Sequence, residues 1–327
     1  MPWNARKKDS KNTPKLPAGT RISHYEIIKK VGSTALGAIY LADDTWKRRR
    51  VTLKIFSDSE TVDPKIREAM LESAERASKI EHPNLLGVHE VDQTDGRDYI
   101  VMEYAEGVSL MQMLYSGSLS VDGIVDITRQ LCSGLRELHD NRTLAKLLLP
   151  EQIIITKDKR VKLVNFGMFD TDFRETGDIE SLPTDIVCYF SPEQVNYRDV
   201  DERSNIFSLG ALIYTMAARR RAFTGDTGKA VVEAVRGKEP EPPMDINPDI
   251  PERLNRIIVK MLNKNPIHRY QDIGEVVTDL AYFKPAPGYE IYAPKKKDSW
   301  NWVVLVALII LLLISFWGYI KEMIQAP

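Results

Sequence analysis

The sequence predicts an α+β fold of two unequal lobes, a small β-rich one followed by a larger helical one, with a single membrane-spanning helix near the C-terminal end. Three observations predict it. Residues 25–103 hold short apolar runs rich in β-branched and aromatic residues (YEIIKKV, AIYLADD, RVTLKIF, DYIVMEY), the mark of strands. From Val121 onward Ile124, Ile127, Leu131, Leu135 and Leu138 recur every three or four residues, the spacing of one helix face. Residues 302–320 (WVVLVALIILLLISFWGYI) run for 19 residues without a charge.

Residues 1–21 carry Arg6, Lys7, Lys8, Lys11, Lys15 and Arg21 against Asp9 alone, with three prolines and no apolar period. They read as a disordered basic tail, too polar for a signal peptide, serving solubility or contact with anionic lipid. The small lobe spans 22–103, with one helical interruption over 63–80, and the larger lobe spans 104–283. Within the latter, residues 205–217 are apolar nearly all round, as a central buried helix is, while 254–262 and 273–282 are amphipathic.

Residues 284–301, with Pro285, Pro287 and Pro294, read as a short stiff linker. The apolar run over 302–320, at about 1.5 Å per residue, reaches close to the ~30 Å of a hydrocarbon core. Trp300 and Trp302 at one end, with Trp317 and Tyr319 at the other, suit the headgroup level. Lys295, Lys296 and Lys297 precede the run, and the positive-inside tendency keeps the N-terminal part cytoplasmic. Only residues 321–327 remain beyond it, too few to sense a ligand.

The 327 residues are 43% hydrophobic and 28% charged, enough for a core of ordinary size. Lys+Arg 45 against Asp+Glu 46 leaves a formal net charge of −1, so no overall excess draws the chain to nucleic acid. The cysteines, Cys132 and Cys188, are too few and too far apart for a disulfide framework or a thiolate metal site, which fits a reducing compartment.

The stretches VGSTALGAIY, VTLK, VMEYAEGVSL, NFG, SPEQ, SNIFSLG and the RY of NPIHRY follow in the order and spacing of a serine/threonine protein kinase domain. The chain resembles this family, and most of all its bacterial membrane-anchored members, over residues 22–283. The resemblance implies a bilobal protein-kinase fold and ATP as ligand. Gly32 and Gly37 match the first and third glycines of the phosphate loop, while Thr34 stands at the second, where a Cβ obstructs close approach. Ile39 lies over the adenine position, and Thr52 replaces a small alanine there. Met102, Glu103 and Ala105 fall on the segment that meets the base. Lys54 takes the phosphate-contacting position, and Glu72, beside the Ser73 that spacing from His82 picks out, is its expected partner.

The catalytic loop departs from the family. Aligned on Pro150, the segment TLAKLLLPEQI puts Ala145, Lys146 and Leu147 at the histidine, arginine and catalytic aspartate, Leu149 at the lysine and Gln152 at the asparagine. Leu147, Leu149 and Gln152 lie 18, 16 and 13 residues before Asn165, the family's own separations from its metal-binding aspartate. Asn165 is an amide at that aspartate, so magnesium, which prefers anionic oxygen, is expected to bind poorly. Ile186 replaces an activation-segment threonine, and Asn205 replaces the aspartate that braces the catalytic loop. The scaffold positions Phe166, Glu193 and Arg269 are kept.

No catalytic residue is therefore expected, and no metal site. The reading favoured is a membrane-anchored pseudokinase, a scaffold or signalling adaptor that binds cytoplasmic protein partners, with ATP as a candidate ligand. One alternative is an active atypical serine/threonine kinase using Glu151 or Asp170 as base. Another is a membrane-organising protein in which the domain is mainly structural.

Overall fold

The computed structural model describes residues 16–34, 37–57, 64–145, 147–164, 179–284 and 287–292. The chain divides into a unit of residues 1–292 and a second of 293–327, and the second lies outside the described residues. So does the apolar run over 302–320. Among the described residues no helix is long and apolar enough to cross a membrane.

Strands β1 (Arg21–Ile22), β2 (Tyr25–Thr34), β3 (Gly37–Asp44), β4 (Arg49–Phe56), β5 (Val88–Thr94) and β6 (Arg97–Glu103) form one antiparallel sheet in the order β1-β2-β3-β4-β6-β5. Alternation along the strands sorts the side chains onto two faces. Tyr25, Ile27, Tyr40, Val51, Leu53, Ile55, Tyr99 and Val101 make one apolar cluster. Phe56, Ile100 and Met102 join the main core with Met70, Ala74 and Ala77 of helix α1 (Pro64–Ala77). Pro64 opens that helix, where its missing N–H costs nothing.

The larger lobe begins with strand β7 (Gly107–Ser109), which pairs with β8 (Ile153–Thr156) and β9 (Val161–Leu163) in a small second sheet. Helix α2 (Leu110–Ser116) follows β7, and helix α3 (Val121–Asp140) starts at Ser120, whose side chain accepts from Gly123 N at 2.9 Å. The stripe Ile124, Ile127, Leu131, Leu135 and Leu138 is buried, as its spacing requires. Helix α4 (Glu202–Ala218) is buried from Ser204 through Ala218, the central helix of the lobe. Helix α6 (Glu252–Met261) packs on it, α7 (Ile273–Leu280) packs on α3, and α5 (Gly228–Gly237) packs on the turn Ile179–Ser181.

Two boundaries differ from the sequence reading. Residues 16–21 are not a free tail. Leu16 N donates to Tyr40 Oη at 3.1 Å, Gly19 N to Ile27 O at 2.8 Å, and Ile27 N to Thr20 O at 2.9 Å. Gly19, at φ 83°, makes the turn that lets this stretch fold back on the sheet.

Residues 287–292 are not a free linker either. Ser120 N donates to Ile291 O at 2.7 Å, Ser120 Oγ to Glu290 O at 2.5 Å, and Leu119 bridges Tyr292. Lys159 donates to Tyr289 O and sits 4.3 Å over its ring. These ties are mostly to backbone carbonyls, so proline and glycine content gave no sign of them.

Candidate functional site

The cleft positions are carried by β2–β4, β6, α1 and the loop between α3 and β8. In the glycine hairpin Gly32 pairs with Ile39 and Thr34 with Gly37. A Cβ built on Gly37 would lie 2.1 Å from Ile55 O, so β3 and β4 approach too closely there for any other residue. Thr52 pairs with Met102 and Val51 with Glu103, which sets Met102 and Glu103 at the C-terminal end of the inner strand β6, with the half-buried Ala105 just beyond it.

Glu103 is committed elsewhere. Its Oε2 accepts from Lys162 Nζ at 2.8 Å and from Gly87 N at 3.2 Å, and Lys162 also donates to Leu85 O at 3.4 Å. This tie between the lobes was not anticipated. The sign in the sequence was a lysine inside the apolar strand VKLV, which needs an acid partner when buried.

Lys54 is buried on β4. Its Nζ lies 3.6 Å from Met70 Sδ and 5.5 Å from the centroid of the Phe56 ring, and burial pulls its pKa down to about 7. The expected partner is not beside it. Helix α1 turns Met70, Ser73, Ala74 and Ala77 inward, while Glu72 is 62% exposed and lies 3.7 Å from Arg76. One position along a helix is a rotation of about 100°, enough to move a carboxylate from core to solvent. Glu68 is exposed as well.

In the loop, Leu148 and Leu149 are buried and Leu147 is half-buried against the core. Gln152 folds back, with Oε1 accepting from Leu149 N at 3.4 Å, and its carbonyl accepts from Val164 N at 2.8 Å. Among the described residues no group of three His, Cys, Asp or Glu side chains could hold a metal. Asn165, Phe166 and Asp170 lie outside the described residues.

The brace is present despite the amide at its centre, which corrects the expectation that it is lost. Asn205 Oδ1 accepts from Ala145 N at 3.0 Å, and Nδ2 donates to Ala145 O at 2.6 Å. His139 Nε2 lies 3.0 Å from the same Oδ1. Farther along, Ile186 sits half-buried on the helical turn Thr184–Val187. Burial pushes the Glu151 carboxyl up, the nearby Asp185 adds to that and Arg221 opposes it.

Arg269 and Glu193 form a two-pronged pair, Nη2 to Oε1 at 2.7 Å and Nη1 to Oε2 at 3.1 Å. The guanidinium also donates to the carbonyls of Asn263, Arg203 and Lys264. This joins the segment after the activation-loop region to α4 and to the chain leading into α7.

Residues 25–279 match the protein kinase domain family. The chain belongs to that family. It is 29% identical to the serine/threonine-protein kinase PrkC of Bacillus subtilis over 266 residues, covering 80% of this chain and 41% of PrkC. It is 28% identical to PknB of Mycolicibacterium smegmatis over 264 residues, covering 78% of this chain and 42% of that one. The chain thus spans about two fifths of the length of these kinases. The solved PknI kinase domain of Mycobacterium tuberculosis superposes with a TM-score of 0.64 at 22% identity, covering 82% of this chain and 99% of that one. This likeness establishes the bilobal fold. The family normally uses ATP and magnesium.

Proposed function

We propose that this protein is a membrane-anchored pseudokinase, a kinase fold that binds partner proteins on the cytoplasmic side without efficient phosphoryl transfer. The observation that carries the reading is the loop at Leu147–Leu149. A kinase needs there a carboxylate to take the hydroxyl proton and a lysine to meet the phosphate, and this chain has leucines packed against the core. The placing of Glu72 supports it, since this expected acid faces solvent 3.7 Å from Arg76 rather than lying beside Lys54. Together these remove most of the charge stabilisation on which phosphoryl transfer depends.

Membrane anchoring rests on the uncharged run 302–320 and the lysines before it. A tethered scaffold raises the local concentration of what it binds, a role that requires no catalysis. ATP is a ligand of this reading only without a strong magnesium requirement. The decisive experiment has two arms. Incubation with γ-labelled ATP should give no transfer to itself or to a basic protein substrate, and transfer lost in Lys54→Met would overturn the reading. Thermal shift with ATP should be unchanged by magnesium if the nucleotide binds.

One observation favours a second reading, an active kinase with a displaced base. Glu151 is a half-buried carboxyl held above the usual range, a feature of tuned acids and bases. Phosphoryl transfer lost in Glu151→Gln with folding intact would establish it.

A further inference from the structure

At the outer end of the small lobe the β3–β4 hairpin presents Trp46, Lys47, Arg48, Arg49 and Arg50 in succession. Trp46 is 77% exposed, and its indole is held by stacking on His24 at 3.9 Å between ring centroids. The tip is built by a buried acid. Asp44 Oδ1 accepts from Trp46 N at 3.1 Å and from Lys47 N at 2.8 Å, and Oδ2 lies 3.5 Å from Arg49 Nε. Burial pushes that carboxyl up, but these bonds and the nearby His24 outweigh it and hold it below the usual carboxylate range. Arg48 takes the left-handed turn position at φ 51°. Lys47, Arg48 and Arg50 are exposed, and none has a carboxylate within ion-pair distance among the described residues.

A run of contacts leads from the hairpin toward the docked residues 287–292. Arg50 acts electrostatically on Glu106, and Glu106 pairs with Lys157 at 2.8 Å. Two residues on, Lys159 holds Tyr289 of the docked residues 287–292. An exposed indole flanked by the exposed cations Lys47, Arg48 and Arg50 suits an anionic surface. Indoles favour the headgroup level, and exposed basic residues are drawn to anionic lipid.

We propose that this hairpin is a second membrane contact, with the Trp46 indole at headgroup level and Lys47, Arg48 and Arg50 against the phosphates of anionic lipids. It rests on the reading that residues 302–320 span a bilayer. The test uses the full chain in nanodiscs of neutral phosphatidylcholine or of phosphatidylcholine with phosphatidylglycerol. An environment-sensitive fluorophore is placed at Lys47→Cys, since Cys132 and Cys188 are buried.

The expected result is a blue shift and intensity gain in anionic discs alone, lost in Arg48→Glu/Arg50→Glu with an unchanged melting temperature. Identical emission in both discs, while the chain resists alkaline carbonate extraction, overturns the hairpin contact and leaves the anchor standing. Extraction by carbonate overturns the anchor and the hairpin contact with it. An equal response to duplex DNA without lipid would overturn the lipid assignment in favour of nucleic acid.

Discussion

Asn205 holds Ala145 by both of its backbone groups, accepting from the amide at 3.0 Å and donating to the carbonyl at 2.6 Å. A carboxylate at this position accepts but cannot donate, so the amide substitutes one tie for another rather than simply losing charge. The loop that carries Leu147 and Leu149 is fixed to the central helix. Asn205→Ala takes from the Ala145 amide and carbonyl and from His139 Nε2 the side-chain partner that each has in this buried place. We expect a loss of about 2–4 kcal/mol in urea unfolding. Faster hydrogen exchange at the Ala145 amide should accompany it, and an unchanged amide would show that the loop is held by other means.

Lys54 makes the fold less stable near neutrality than an apolar residue would. Its pKa falls from the ordinary lysine value to about 7 through burial, so the folded chain resists the proton that the unfolded chain keeps. Between about 7 and the unfolded value near 10.4 the unfolded state binds more protons, so this residue's contribution to stability rises with pH. The cost is fully present below the folded pKa and vanishes above the unfolded one. Lys54→Met should therefore raise stability by roughly 1–3 kcal/mol at neutral pH. The gain should shrink as unfolding is measured toward pH ~10. A variant that is less stable at neutral pH would mean the ammonium is well solvated.

The layout of the lobes was legible because it depends on periodicity. The runs of β2, β3, β4 and β6 and the stripe on α3 announce themselves by spacing alone, whereas β5 was not read from the sequence. Glu72 was misread because the true inward stripe of α1 is Met70, Ser73, Ala74 and Ala77. That stripe is too short and too polar at Ser73 to stand out. The pair Glu103–Lys162 crosses 59 residues of sequence, so the lysine within VKLV signals the need for an acid without telling which one. Asn205 was correctly located and wrongly valued, since residue type reports the loss of a charge but not the new donor. The docking of residues 287–292 escaped because backbone carbonyls take most of its bonds.

The Arg269–Glu193 pair should be the most costly contact to break in the larger lobe. Burial pushes the Glu193 carboxyl up, yet Arg269 outweighs it and holds the group below its ordinary value. Its stabilising contribution is present above the unfolded carboxylate pKa and lost as pH falls through the lower folded one. Arg269→Ala strands a half-buried carboxylate and should cost about 3–5 kcal/mol at neutral pH. Arg269→Lys, which keeps charge but not the fork, should recover only part of it. Stability curves of wild type and Arg269→Ala that stay parallel down through the acid range would contradict this account of the pair.

The docked segment at the C-terminal edge depends on the absence of a side chain at Gly123. A Cβ there would lie 2.5 Å from Ile291 O and 3.1 Å from the Ile291 carbonyl carbon, and both are backbone atoms that cannot step aside. Gly123→Ala should favour α3 by its own helix propensity while expelling residues 287–292 from its N-terminal turn. Two effects of opposite sign then compete. The propensity gain is about 1 kcal/mol, and the hydrogen bonds from Ser120 to Ile291 and Glu290 together contribute about 1–3 kcal/mol. The net change in stability should be small, and the discriminating readout is local. Limited proteolysis should cut Gly123→Ala chains within residues 284–292 far faster than wild type, at equal melting temperature. Equal cutting rates would mean that the segment stays seated and α3 shifts to admit the methyl group.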